Sequence, residues 1–107
     1  MKTEILAELA AIIQQRKNAD PESSWTAKLL SQGIHACAKK FGEEAVEAAL
    51  ASVSGDKAHL KAEAADVIYH LLVLLEAGGV DLADVLEELA ARQQRSGIAE
   101  KASRGKP

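Results

Sequence analysis

Four carboxylates in this 107-residue chain stand at a spacing that could hold a cation. Glu44 and Glu47 are three residues apart, and so are Glu63 and Asp66. Residues three apart on a helix share a face, with about 5–6 Å between their Cβ atoms. Gly55 lies midway, eight positions from both Glu47 and Glu63 and eleven from both Glu44 and Asp66. If a tight turn at Gly55 folds the two segments back on each other, Glu47 and Glu63 sit at matched heights, roughly 12 Å along the hairpin. Glu44 and Asp66 then match one turn further along. Four carboxylates in one groove are unfavourable without a cation, because like charges in contact oppose the compact state. An all-oxygen donor set suits Mg²⁺ or Mn²⁺ rather than zinc or copper. The chain has no HExxH and no Glu-x-x-His of the kind a di-iron bundle uses. A hard cation held by carboxylates keeps positions for water and substrate phosphates, so the chemistry implied is phosphate chemistry. An acidic pair at this spacing is also ordinary on a solvated helix. The mirrored register, rather than the spacing, is what favours a metal.

The elements that must position these residues are helices. Ala and Leu dominate, β-branched residues are sparse, and Pro occurs only at positions 21 and 107. Residues 3–17 carry Ile5, Leu6, Leu9, Ile12 and Ile13 on one stripe and read as an amphipathic helix. "NADPESS" at 18–24 is a loop broken at Asp20-Pro21. "WTAKLLSQ" at 25–32 forms a short helix ended by Gly33. A long helix is expected over 34–53 and another over 57–77, separated by Ser54-Gly55 and N-capped by Asp56. Gly78-Gly79 stops the second, and Asp81 caps a last helix with the stripe Leu82, Val85, Leu86 and Leu89. In the 57–77 helix, Leu60, Ala64, Val67, Ile68, Leu71 and Leu75 are the expected inward stripe, flanked by Glu63 and Asp66. The expected fold is all-α, with four main helices in an antiparallel bundle completed by dimerisation. Residues 67–75, "VIYHLLVLL", are apolar nearly all round and need cover on every side, which a two-fold homodimer would supply. Further association into a higher oligomer stays open.

Composition narrows the classes of function. The chain suits one domain over 1–107, with 96–107 a small, polar, basic tail. A net charge of −3 gives no footprint for nucleic-acid binding. The longest apolar run is too short for a bilayer, and Glu4 and Glu8 interrupt the N-terminal apolar pattern, so neither a membrane partner nor a signal peptide is expected. A single cysteine, Cys37, excludes an intrachain disulfide and a cysteine-based zinc site. It fits a reducing compartment, and a cytoplasmic location is expected.

The pattern E-x-x-E, fifteen residues, E-x-x-D resembles the metal signature of the all-α nucleoside triphosphate pyrophosphatases, which include dimeric dUTPases and MazG-like enzymes. Four blocks narrow it: "SWTAKLL" at 24–30, "KKFGEEAVEAALA" at 39–51, "EAADVIYHLLVLL" at 63–75 and "RSGIAEKASR" at 95–104. Together they are similar to the phosphoribosyl-ATP pyrophosphatase family over nearly the whole chain. Trp25 stands where that family often has Tyr. The resemblance implies a Mg²⁺-dependent homodimer that hydrolyses a nucleotide, phosphoribosyl-ATP, to phosphoribosyl-AMP and pyrophosphate in histidine biosynthesis. The alternatives are a house-cleaning pyrophosphatase of the MazG or dUTPase type, and a non-catalytic helical dimerisation module.

On this resemblance Glu44, Glu47, Glu63 and Asp66 are the expected metal ligands, and Glu43 or Glu47 is the group that orients the attacking water. Glu43 also reads as an exposed helix residue. Lys40, one turn before Glu44, fits either a phosphate contact or an ion pair with Glu44. Trp25 fits either stacking on the adenine or ribose, with Lys28 beside it, or plugging the end of the bundle. Arg95, Ser96, Lys101 and Arg104, with Ser103, are expected to dock the tail on substrate phosphates. Tyr69 and His70 read as core or interface residues.

Overall fold

The computed structural model describes residues 4–94. They form five helices and no strand: α1 (Glu4–Arg16), α2 (Trp25–Ser31), α3 (Ile34–Ser54), α4 (Lys57–Gly78) and α5 (Leu82–Gln93). None of these is long and apolar enough to cross a membrane.

The α3–α4 hairpin is the spine, and a two-residue turn makes it. Gly55 ends α3 at φ 83°, a left-handed conformation that a side chain would resist. Asp56 then starts α4, its carboxylate accepting a 3.0 Å hydrogen bond from the His59 N–H. With so short a turn, the helices run antiparallel and pack along their length, the most extensive contact between elements. Gly79, at φ 75°, ends α4 with a pair of crossed bonds: its own N–H donates to Glu76 O (3.2 Å) and that of Val80 to Leu75 O (2.9 Å). Asp81 takes the N-cap position of α5, as expected, but its exposed side chain makes no capping bond.

α2 has only seven residues, far below the length at which an isolated helix holds in water. Three contacts secure it. Ser24 caps it by accepting from the Ala27 N–H at 3.1 Å. Leu29 is buried in the core, and its carbonyl accepts from Cys37 Sγ at 3.5 Å. Thr26 Oγ1 and Tyr69 Oη, on α2 and α4, form a hydrogen bond of 2.5 Å.

The core joins the first four helices through Ile13, Leu29, Cys37, Leu72 and Val73, with Leu9, Leu30, Leu75 and Leu82 packed against it. Burial pushes the Cys37 thiol pKa up, as it does for any thiol whose anion would be desolvated. This centre corrects the expected face of α4. Leu72 and Val73 point inward with His70, whereas Ala64 and Ile68, placed on the inward stripe, are exposed in the single chain. Where a helix is apolar around its whole circumference, periodicity does not define a phase. Contact with α1, α2 and α3 defines it instead. The same contacts already cover Leu72 and Val73, so these two do not need a second copy to bury them. An outer face of α3 is among the surfaces left bare, with Val46, Leu50 and Val53 59%, 63% and 82% exposed.

Candidate metal centre

α3 buries one residue per two turns, Cys37, Glu44 and Ala51, on the side it turns to the rest of the bundle. Glu44 is therefore drawn into the hairpin by the same register that buries its apolar neighbours, and only 9% of it is exposed. Across from it on α4 lie Glu63, half-buried, and Asp66, exposed. One carboxylate oxygen from each of Glu44, Glu63 and Asp66 lies within 4.8 Å of the others. Among the described residues these three form a group with the donor geometry for a cation.

Glu47 stands outside this group. It follows Glu44 by three residues and so sits about 60° further round α3 at 100° per residue. That rotation carries it out of the groove to an exposed, open depression lined by Gly42, Glu43, Val46 and Glu47. Glu43 is exposed beside it. The hairpin register thus brings three of the four expected ligands together, with Glu47 and Glu43 on the adjoining outer edge.

The electrostatics favour a cation. Three carboxylates face one permanent positive charge, Lys40 Nζ, at 3.3 Å from Glu44 Oε2. His59 Nε2 lies 3.2 Å from Glu63 Oε2, a hydrogen bond that becomes an ion pair only when the ring is protonated. Glu63 Oε1, by contrast, is buried with no hydrogen-bond partner. Leaving a buried acceptor unsatisfied costs about 1–3 kcal/mol, and more for a charged one. A hard cation in the all-oxygen group would satisfy it, so the residues fit the metal their types suggest.

Behind the carboxylates, His70 is 5% exposed and its Nδ1 also lacks a partner. Burial holds its imidazole below the usual histidine pKa; Glu44 and Asp66 pull the other way, and Lys40 adds to the lowering. Trp25 is 55% exposed and lines a polar cleft of about 300 Å³ with Pro21, Glu22, Ser23, Ser24 and Lys28. It does not plug the bundle end. The cleft between α1, α4 and α5, about 290 Å³, is walled chiefly by Ala, Leu and Val side chains such as Ala7, Ala10, Leu72 and Leu86. Arg95, Ser96, Lys101, Ser103 and Arg104 lie outside the described residues.

Two features escaped the sequence reading. His59 supports Glu63, and the signal was present as their four-residue helical spacing. The Thr26–Tyr69 bond joins residues 43 positions apart, and no local pattern announces it.

The phosphoribosyl-ATP pyrophosphohydrolase family model matches residues 6–93. The chain belongs to this family. Relatives named phosphoribosyl-ATP pyrophosphatase resemble it along almost their full length. The protein of Ruegeria pomeroyi is 63% identical over 102 residues, covering 95% of this chain and 97% of its own. That of Cereibacter sphaeroides is 61% identical over 101 residues, covering 94% and 98%. That of Methylobacterium radiotolerans is 62% identical over 99 residues, covering 92% of each. The match to the phosphoribosyl-ATP pyrophosphohydrolase family spans both carboxylate helices and the Trp25 cleft.

Proposed function

We propose that this protein hydrolyses phosphoribosyl-ATP to phosphoribosyl-AMP and pyrophosphate, the second step of histidine biosynthesis, with Mg²⁺ as cofactor. The observation that carries the reading is the convergence of Glu44, Glu63 and Asp66, with one buried oxygen unsatisfied, in a chain of this family. Those three residues would hold the cation. Glu47, one helical turn from Glu44, joins them as a ligand or through water. When bound, Mg²⁺ neutralises phosphate charge and so makes the phosphorus open to attack.

The protein's own groups do the rest. A water oxygen attacks the α-phosphorus, in line with the α–β bridging oxygen. The bridging P–O bond breaks, and pyrophosphate leaves with the electron pair. The water's proton passes to a carboxylate on the open edge, Glu43 or Glu47, both of which water reaches freely. Lys40, held against Glu44, offers a cation to the phosphates at the mouth of the group. Trp25 offers a flat face to adenine or ribose, and Lys28 in the same cleft a charge for a phosphate. Arg95, Ser96, Lys101 and Arg104 dock on the remaining phosphates.

The bare face of Val46, Leu50 and Val53 supports a homodimer, because fully burying one such side chain stabilises by about 1.5–3 kcal/mol. On this reading a second copy completes the bundle, Glu43 and Glu47 border the interface, and the enzyme works in the cytoplasm.

The test is pyrophosphate release with Mg²⁺ across a panel of nucleotides. Release from phosphoribosyl-ATP alone is expected. Release from ordinary nucleoside triphosphates would assign a broader pyrophosphatase instead, and no release from any of them would sink the catalytic reading.

A further inference from the structure

The hydrogen bond between Thr26 and Tyr69 links two parts of the molecule that the proposed reaction uses at once. Thr26 directly follows Trp25, the exposed indole of the polar cleft. Tyr69 follows Asp66 by three residues on α4, about 4.5 Å along the helix axis. The bond is partly buried and short, 2.5 Å between Oγ1 and Oη. α2 is too short to hold its own orientation. Ser24 caps its first turn and Ala27 and Leu29 bury one side, while the Thr26 hydroxyl ties that first turn directly to α4. The Tyr69 ring is packed against the core, so its hydroxyl is a fixed post. A post on the carboxylate helix therefore grips the residue next to the indole.

We propose that Thr26 and Tyr69 are positioning residues whose hydrogen bond sets the Trp25 cleft at a defined distance from the carboxylate group, so that one nucleotide can engage both. This rests on the reading that Trp25 contacts the base or ribose. A substrate held at one end by a cation and at the other by an indole is bound well only if the two ends have the right separation. Freeing the indole end weakens binding while the reacting phosphates still meet the same carboxylates. The bond thus acts on KM and leaves kcat alone.

The experiment removes each hydroxyl with its shape kept: Tyr69→Phe and Thr26→Val. Each is expected to raise KM for phosphoribosyl-ATP roughly three- to tenfold, the ratio a single hydrogen bond's net contribution supports. kcat should stay within about twofold, because the groups at the phosphates are unchanged. The double variant should be no worse than the worse single one, since one bond is lost in all three. Thr26→Ser, which keeps the hydroxyl, should retain the wild-type KM. In a Trp25→Ala background, Tyr69→Phe should leave KM where Trp25→Ala put it. A lower melting temperature and active fraction with KM unmoved would assign the bond a structural role and overturn the proposal. So would an undiminished KM effect in the Trp25→Ala background.

A second readout does not depend on turnover. Trp25 is the single tryptophan, so fluorescence anisotropy reports on it alone. Tyr69→Phe and Thr26→Val should about double the anisotropy lost to nanosecond motion of the indole. No change in either variant would overturn the proposal even if the enzyme were fully active. If the wild-type protein released no pyrophosphate from phosphoribosyl-ATP, the assigned reaction would fail, while the anisotropy would still decide whether the bond fixes Trp25.

Discussion

Replacing Glu63 with Gln should make the metal-free protein more stable and deprive it of its response to Mg²⁺. The side chains of Glu44 and Glu63 are 11% and 14% exposed, and their oxygens approach within 4.8 Å. At that separation and an effective dielectric of about 20, two unit charges repel by roughly 3.5 kcal/mol. Lys40 beside Glu44 offsets part of this. Asp66 is exposed, so its repulsion falls towards the value in water, about 0.9 kcal/mol. Glu63→Gln keeps the shape and the hydrogen-bonding capacity toward His59 while removing one charge. A net gain of about 1–2 kcal/mol is expected, or roughly 4–16 °C in Tm for a domain of this size. The wild-type protein should instead gain about 1.4 kcal/mol from Mg²⁺ at ten times its dissociation constant. The two melting curves therefore approach or cross as Mg²⁺ is added. Thermal unfolding by circular dichroism, with chelator and then with increasing Mg²⁺ at one protein concentration, measures this. A folded Glu63→Gln protein that melts at or below the wild type without metal would refute the repulsion. A wild type indifferent to saturating Mg²⁺ would refute the cation site.

Other expectations follow from the same geometry. Glu47→Gln should lower Mg²⁺-dependent turnover at least about tenfold yet change the metal-free Tm little, since an exposed charge contributes within about 0.5 kcal/mol; paired kinetics and melting separate the two. Removing residues 96–107 should raise KM for phosphoribosyl-ATP severalfold, and unchanged kinetics would remove the tail from the site. His70 is held neutral below the usual value of about 6.5, so the unfolded chain binds the extra proton first as the pH falls. The stability from its burial is full above that pH and is lost below it, so between pH 7.5 and 5.5 without metal the Tm of His70→Leu should fall less than that of the wild type. Leu50→Ser with Val53→Ser should weaken self-association by about 100-fold or more, as loss of two buried apolar side chains implies, leaving helicity intact; sedimentation velocity over a dilution series reads it.

Particular residues show where sequence suffices. Gly55 and Asp56 carry their roles in their own chemistry: one tolerates a left-handed backbone, the other caps a helix with its carboxylate. A turn so short admits one arrangement of the flanking helices, which is why Glu44, Glu63 and Asp66 could be paired by counting from Gly55. Family membership was legible in the same way, because blocks of residue types in order survive without any knowledge of contacts. The positions of the five helices, too, are legible in local residue patterns and the turn and capping residues between them, although α2 is held only by its tertiary contacts.

Rotation about the helix axis was not legible. Counting from the turn gives height along a hairpin, but the 60° between Glu44 and Glu47 matters only once packing chooses which side of α3 faces α4. The burial of Cys37, Glu44 and Ala51 makes that choice and leaves Glu47 outside the group. The inward face of α4 is only partly legible for a related reason. With apolar side chains all round, only contact with three neighbouring helices selects Leu72 and Val73 over Ala64 and Ile68, while Leu75 of the expected stripe does pack on the core. The Thr26–Tyr69 bond belongs to the same class, a contact between residues distant in sequence that exists only after α2 has docked. The sequence by itself determined the helices, their order, the turn and the heights of the carboxylates, because each follows from a residue and its near neighbours. Tertiary structure decided which carboxylates converge and what holds the indole beside them, because orientation is set by simultaneous packing against several partners.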